Sequence, residues 1–314
     1  MGSSSHKLTA LVDANPFILG TTHRLFNAQP GNTDSSFSYL DQFGNLGAGT
    51  YNSLQLSLQK RFSDNRFFGQ SYFTLAYTYG HGIDTASGFR QSTTRVPYYS
   101  HKQFRASTDF DIRHRLVFSG GWDLPFHHAW SSGPSRLTKG WSVYPILTYR
   151  AGLPIDIYAG LSRSRTRPGP SAAGDPNMVR ANLVGSSVTI YEPKAPQTFD
   201  NRTGNYYFSP ANFSNAGLSA TCTPCVTNPA IRTYGTLGRN AFHGPSRFNM
   251  DFAVAKTTPL VGERLRAEFR AEFFNIFNNA QFYLPNTNIS STAFGQITNT
   301  YDPRILQFAL RFTF

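Results

Sequence analysis

The sequence predicts an all-β, antiparallel transmembrane β-barrel, of which the chain supplies an incomplete wall of about seven strands. Three observations carry this expectation. Seven segments alternate apolar and polar residues with the period of two that a one-sided strand requires. The connections between them alternate short and long, and aromatics reach 15% of 314 residues, level with all charged residues together. An apolar surface so rich in Phe and Tyr must face something other than water.

The first segment sets Leu54, Leu56 and Leu58 opposite Gln55, Ser57 and Gln59. The second has Phe73, Leu75, Tyr77 and Tyr79 on one side and Thr74, Ala76 and Thr78 on the other. In the third, Leu116, Phe118, Gly120, Trp122 and Leu124 oppose Val117, Ser119, Gly121 and Asp123. The fourth runs from Trp141 through Val143, Leu147 and Tyr149, with a bend expected at Gly152-Leu153-Pro154 before Ile155 and Ile157. The fifth places Phe248, Met250, Phe252 and Val254 against Asn249 and Asp251. The sixth is the strictest: Leu265, Ala267, Phe269, Ala271 and Phe273 alternate with Arg266, Glu268, Arg270 and Glu272. The last alternates Phe308, Leu310, Phe312 and Phe314 with Gln307, Ala309, Arg311 and Thr313.

Residues 63–68, 126–139 and 257–263 read as short links, and 80–112, 161–247 and 277–304 as long loops rich in Gly, Ser, Thr, Asn and Pro. Outer-membrane barrels have this asymmetry, with short periplasmic turns and long external loops. If the short links are periplasmic, the last strand ends in the periplasm, and residues 1–50 form a loop-like segment on the extracellular side. Seven strands are too few and of the wrong parity to close alone. No basic region followed by an apolar core stands at the N-terminus, so an upstream export signal and further strands are expected.

No run approaches the ~18 apolar residues of a membrane helix, which excludes helical spans and leaves a barrel open. The net charge of +12 is spread along the chain rather than gathered on one element, so a nucleic-acid partner is not expected.

Several stretches resemble the C-terminal barrel portion of Oar-like TonB-dependent receptors. They are Tyr51-Asn52-Ser53-Leu54-Gln55-Leu56-Ser57-Leu58-Gln59-Lys60-Arg61-Phe62, Asp109-Phe110-Asp111-Ile112-Arg113-His114-Arg115, and Arg266 through Asn278. Gly238-Arg239-Asn240, Gly244-Pro245 and Phe294-Gly295-Gln296-Ile297 are also similar to that family. The resemblance runs in order over about residues 50 to 314. It implies an outer-membrane location and a part in ligand binding or transport. The family's plug and TonB box have no counterpart here, so contact with TonB is expected only through a missing N-terminal barrel and plug segment.

The alternation ending on Phe308, Leu310, Phe312 and Phe314 resembles the signal that hands outer-membrane proteins to the barrel-assembly machinery. Arg266, Glu268, Arg270 and Glu272 read as a charge ladder facing the lumen, with same-face neighbours about 7 Å apart. Glu268 and Glu272 do not suit acid–base catalysis, because the intervening Arg270 holds both ionised. Cys222 and Cys225, spaced as a redox pair but set in a polar loop, read as a local disulfide. Arg163, Arg165 and Arg167 open a loop with nine basic and three acidic residues over 161–247. They meet either solvent alone or the phosphates of lipopolysaccharide, which with membrane lipid would then be a partner.

Adjacent His127 and His128 point to opposite faces of an extended chain and make a poor chelate. No phosphate loop, nucleophile elbow or zinc-protease motif occurs, so neither an enzyme nor a cofactor is expected. Two further readings stay open: a structural or adhesive surface barrel without uptake, and a soluble basic β-protein. The alternation itself is testable. Phe269→Arg should impair membrane insertion, at a cost of roughly 2–4 kcal/mol near the midplane, whereas Glu268→Gln should insert normally. Equal insertion of the two variants, measured by heat-modifiable migration, would reject the assignment of faces.

Overall fold

In a computed structural model the chain forms one large antiparallel sheet in meander order. The structure describes residues 1–14, 26, 29–32, 41–65, 69–87, 96–97, 104–126, 130, 132–159, 180–215, 235–262 and 264–314. Eight long strands run in sequence: β1 (Gly2–Asp13), β2 (Asp41–Asn65), β3 (Gly69–Asp84), β4 (His114–Leu124), β5 (Trp141–Arg150), β6 (Arg247–Val261), β7 (Leu265–Phe274) and β8 (Ile305–Thr313). Each pairs with its neighbour in the chain, so the order in space is the order in sequence. Val96–Pro97 adds to the free side of β1 and Ala106–Ser107 to the end of β3. The sheet is not closed on itself: β1 with its short addition forms one edge and β8 the other.

Register explains why the alternating residues form a single surface. Leu56 stands opposite Tyr77, Tyr77 opposite Leu116, Leu116 opposite Tyr149 and Tyr149 opposite Phe248. Farther along, Val254 opposes Ala271, which opposes Phe308. Directly opposed residues share a face, so one apolar face extends from Leu54 on β2 to Phe312 on β8. Many of its side chains are open to the surroundings, including Leu54, Leu56, Leu58, Phe269, Phe308, Leu310 and Phe312. The other face carries the Gln, Ser, Thr, Asn, Arg and Glu positions of the same strands.

Three expectations from sequence are corrected here. Residues 1–50 are not only loop: Gly2–Asp13 is a strand paired to Asp41–Asn52, giving eight long strands rather than about seven. Its run Ser3-Ser4-Ser5-His6-Lys7 has no alternating apolar signature, and it adjoins the half of β2 that precedes Leu54. Seven strands therefore carry the apolar face, and β1 extends the sheet beyond it. Pairing also outlasts the apolar pattern. β3 continues to Asp84, and β6 runs into the 257–263 link as far as Val261, with β7 starting at Leu265. Finally, the fourth strand does not bend and continue. It stops at Arg150, and Pro154–Ile155 pairs instead with Phe242–His243. Gly152 permits this separation, because a Cβ there would collide with the carbonyl oxygen of Gly244.

The hydrophobic core lies outside the sheet. Ile155, Ile157, Ala181, Phe208, Phe213, Leu237 and Phe294 cluster among the connections at the long-loop end. Phe208 meets Phe213 edge-on at 5.3 Å and Phe294 at the same centroid distance. Small ladders, 182–183 with 213–214 and 197–199 with 202–204, hold this cap together. Phe208→Ala should destabilise the cap by roughly 3–5 kcal/mol while leaving the strands paired. Hydrogen exchange would show this as faster exchange confined to residues 180–215 and 286–297, and acceleration in β4–β8 as well would mean that cap and sheet unfold as one.

Candidate functional site at the long-loop end

The long-loop end is where the chain's polar chemistry gathers, and three hydrogen-bonded joints build it. The first centres on Arg239. Its turn, Gly238-Arg239-Asn240, is shaped by Asn240 at φ 51°, a left-handed conformation that Asn tolerates. The Arg239 guanidinium is buried and forms an ion pair with Asp84 at the end of β3. It also donates to the Asp84 carbonyl at 3.1 Å and to Ser87 Oγ at 3.3 Å. Beside it, Asn240 Nδ2 donates to the Ser107 carbonyl at 2.8 Å and to Asp109 Oδ1 at 2.7 Å.

The second joint centres on Asp111, whose side chain is almost wholly enclosed. Its Oδ1 accepts the Gly82 amide at 2.8 Å, and its Oδ2 pairs with His81 Nδ1 and Arg113 Nε, each at 3.0 Å. His243 lies near this group. Burial, reinforced by the positive charge of Arg113, holds its imidazole below the ordinary histidine range, with Asp111 opposing. His243 itself pairs with Pro154 in the cap.

The third joint winds the chain out of β7. Asn275, at φ 52° and buried, exchanges bonds with residue 279 in both directions: Asn275 Nδ2 donates to the Asn279 carbonyl, and the Asn279 amide donates to Asn275 Oδ1, each at 3.0 Å. The Asn275 amide donates to Asp251 Oδ1 at 2.9 Å, and Gln281 Nε2 donates to Asn249 Oδ1 at 2.8 Å. Phe277 then stacks on Phe248 at 6.2 Å. A cavity of about 550 Å³ opens between Tyr191–Lys194 and Asn279–Phe282.

The structure places Arg266, Glu268, Arg270 and Glu272 on the polar face of β7. Arg270 Nε pairs with Glu272 Oε1 at 2.7 Å, and its guanidinium lies 5.2 Å from the Tyr144 ring across the sheet. Glu268 stands in register with Arg311 on β8. Phe308, Leu310 and Phe312 line the apolar face, with Phe269 stacked on Phe308 at 6.2 Å, and Phe314 projects past the strand. Arg163, Arg165, Arg167, Cys222, Cys225, His127 and His128 lie outside the described residues. Among the described residues no three His, Cys, Asp or Glu side chains gather as a metal site, and no helix is long and apolar enough to cross a membrane. Sequence reasoning missed Asp84 as the partner of Arg239, since 155 residues separate them.

A family model described as an outer membrane beta barrel domain matches residues 1–307. The chain belongs to that family. As an outer-membrane β-barrel domain it presents its apolar face to lipid, which accounts for exposed Phe and Leu that water would not tolerate. No curated protein matches the sequence. Among solved structures, the outer membrane transporter YddB from Escherichia coli is similar at 10% identity and a TM-score of 0.44. That match covers 99% of this chain and 29% of the transporter, so the chain spans less than a third of its length.

Arg239→Ala should loosen the cap from the sheet, since removing one partner of a buried ion pair costs roughly 3–5 kcal/mol. The expected readout is protease sensitivity within 235–244 with β4–β8 still protected; an unchanged digestion pattern would deny the joint its role.

Proposed function

We propose that this domain is part of the wall and outer mouth of an outer-membrane transport barrel of the TonB-dependent receptor type, with no catalytic role. The observation that carries the reading is the two-faced sheet, whose polar side continues into a hydrogen-bonded cap at the long-loop end. Strands built this way hold a hydrated passage against lipid, and a packed cap over one end can select what enters. The Oar-like stretches support the same assignment, since Asp109–Arg115, Gly238–Asn240 and Asn275–Asn278 are the segments that form the three joints.

In this reading the long loops are extracellular, and Arg163, Arg165 and Arg167 meet lipopolysaccharide phosphates. Cys222 and Cys225 form a local disulfide in the same external loop. The strand ending in Phe314 is presented to the barrel-assembly machinery. The two edges of the sheet need covering, because each unsatisfied backbone group in hydrocarbon costs several kcal/mol. Further strands and a plug on a preceding segment would close the wall, and TonB would act through that segment. The enclosed core of the cap also suits a structural or adhesive surface role without uptake.

Permeability decides between the two. Proteoliposomes holding the assembled barrel should admit a small uncharged sugar once the plug segment is removed, as read by swelling. Protease added to intact cells should cut within 161–247 and spare the 257–263 link. A sealed barrel under the same conditions favours the adhesive role, and cutting at 257–263 from outside inverts the topology.

A further inference from the structure

On the polar face, three arginines occupy directly opposed positions on adjacent strands. Arg115 of β4 stands opposite Arg150 of β5, and Arg150 stands opposite Arg247 of β6. Such positions lie about 5 Å apart, so the row spans on the order of 10 Å. Like charges directly opposed destabilise a sheet, and nothing in the pairing of β4, β5 and β6 requires them.

The nearby carboxylates are engaged elsewhere. Asp111 is held by His81, Arg113 and the Gly82 amide, Asp84 by Arg239, and Asp251 by Asn249 and the Asn275 amide. Among the described residues no ion pair reaches Arg115, Arg150 or Arg247. Arg247 is nevertheless held in place by neutral groups. Its Nε donates to Gln281 Oε1 at 3.0 Å, and its guanidinium lies 3.5 Å from the centre of the Tyr301 ring. That arrangement orients the charge without neutralising it. The row borders a cavity of about 410 Å³ whose lining also includes Val117, Thr148 and Gln281.

We propose that Arg115, Arg150 and Arg247 form a binding subsite for the phosphate groups of a soluble anionic solute, of about the size of a diphosphate. A guanidinium presents paired N–H donors in a plane that matches phosphate oxygens two at a time, and three in a row match two linked phosphates better than one. The solute is soluble rather than a lipid headgroup, because the row lies on the face opposite Leu116, Tyr149 and Phe248. The inference rests on the reading that this face lines a hydrated passage, and it adds the chemistry of what is held there.

The test is titration of inorganic pyrophosphate into the full chain, extracted from outer membranes in detergent with whatever strands complete its wall, with binding read by calorimetry. Saturable binding is expected at low salt, weakened at least tenfold by Arg150→Gln or Arg115→Gln. Arg136→Gln, which removes the same charge at the short-turn end, should bind as the parent does. Because Arg150→Gln relieves repulsion, its thermal midpoint should hold or rise, which separates lost binding from lost folding. Absence of saturable binding by folded parent protein, or equal binding by parent and Arg150→Gln, would overturn the proposal. Displacement of pyrophosphate by added lipopolysaccharide would assign the phosphate to a lipid and overturn the soluble-solute claim. Sugar permeability of the same preparations keeps the two ideas apart. A permeable barrel that ignores pyrophosphate removes the subsite and spares the transport reading, whereas a sealed one that binds it does the reverse.

Discussion

Cross-strand register is the constraint on which the rest of the molecule depends. Side chains alternate with a period of two, so a slip of one residue in any pair would turn its polar face into lipid. For β7 that slip would bury Arg266, Glu268, Arg270 and Glu272 in hydrocarbon, with each arginine near the midplane costing roughly 2–4 kcal/mol. The pairing avoids it: from β3 to β8 the register runs without shift through the apolar face. The irregularities fall beyond it, between Lys60 and Ser63, between Pro259 and Val261, and along β1 near His6 and Leu8. Bulges are tolerated where neither face meets lipid.

That constraint displaces the hydrophobic core. In a water-soluble sheet protein the apolar faces pack on one another, but here lipid takes that role, and Phe269 or Leu310 needs no protein cover. Protein-on-protein burial is left to segments that stand in water. The cap meets this requirement with Phe208, Phe213 and Phe294 packed over Ile155 and Ile157. Polar joints then tie the cap to the wall: Arg239 to Asp84, Asp111 to His81 and Gly82, and Asn275 to Asp251. Backbone pairing between strands cannot orient long connections, whereas buried, charge-assisted bonds can.

The polar face has two electrostatic regimes. On β7 the ladder alternates in sign, and Arg270 and Glu272 satisfy each other. Across β4, β5 and β6 the signs are the same, and only neutral groups support Arg247. Alternation stabilises a wall, and repetition of one sign stores repulsion that a bound anion can relieve.

Much of this was legible in the residues alone. Leu54-Gln55-Leu56-Ser57-Leu58 and Ala267-Glu268-Phe269-Arg270-Ala271 state which side chain faces lipid, because strand geometry leaves no other choice. The loop-length asymmetry likewise marked one end as the elaborate one. Strand β1 was not legible, since it pairs through its backbone and its opening run, Ser3-Ser4-Ser5-His6-Lys7, has no apolar rhythm. Nor was the fate of Ile155 and Ile157, which look like a continued strand until Gly152 meets Gly244. Alternation alone assigns each residue its face, a property of one strand and its period. The partners of Arg239, of Asn275 and of Arg150 were decided only by tertiary structure, because register sums over several strands and loops, and no local pattern encodes which distant segments it brings together.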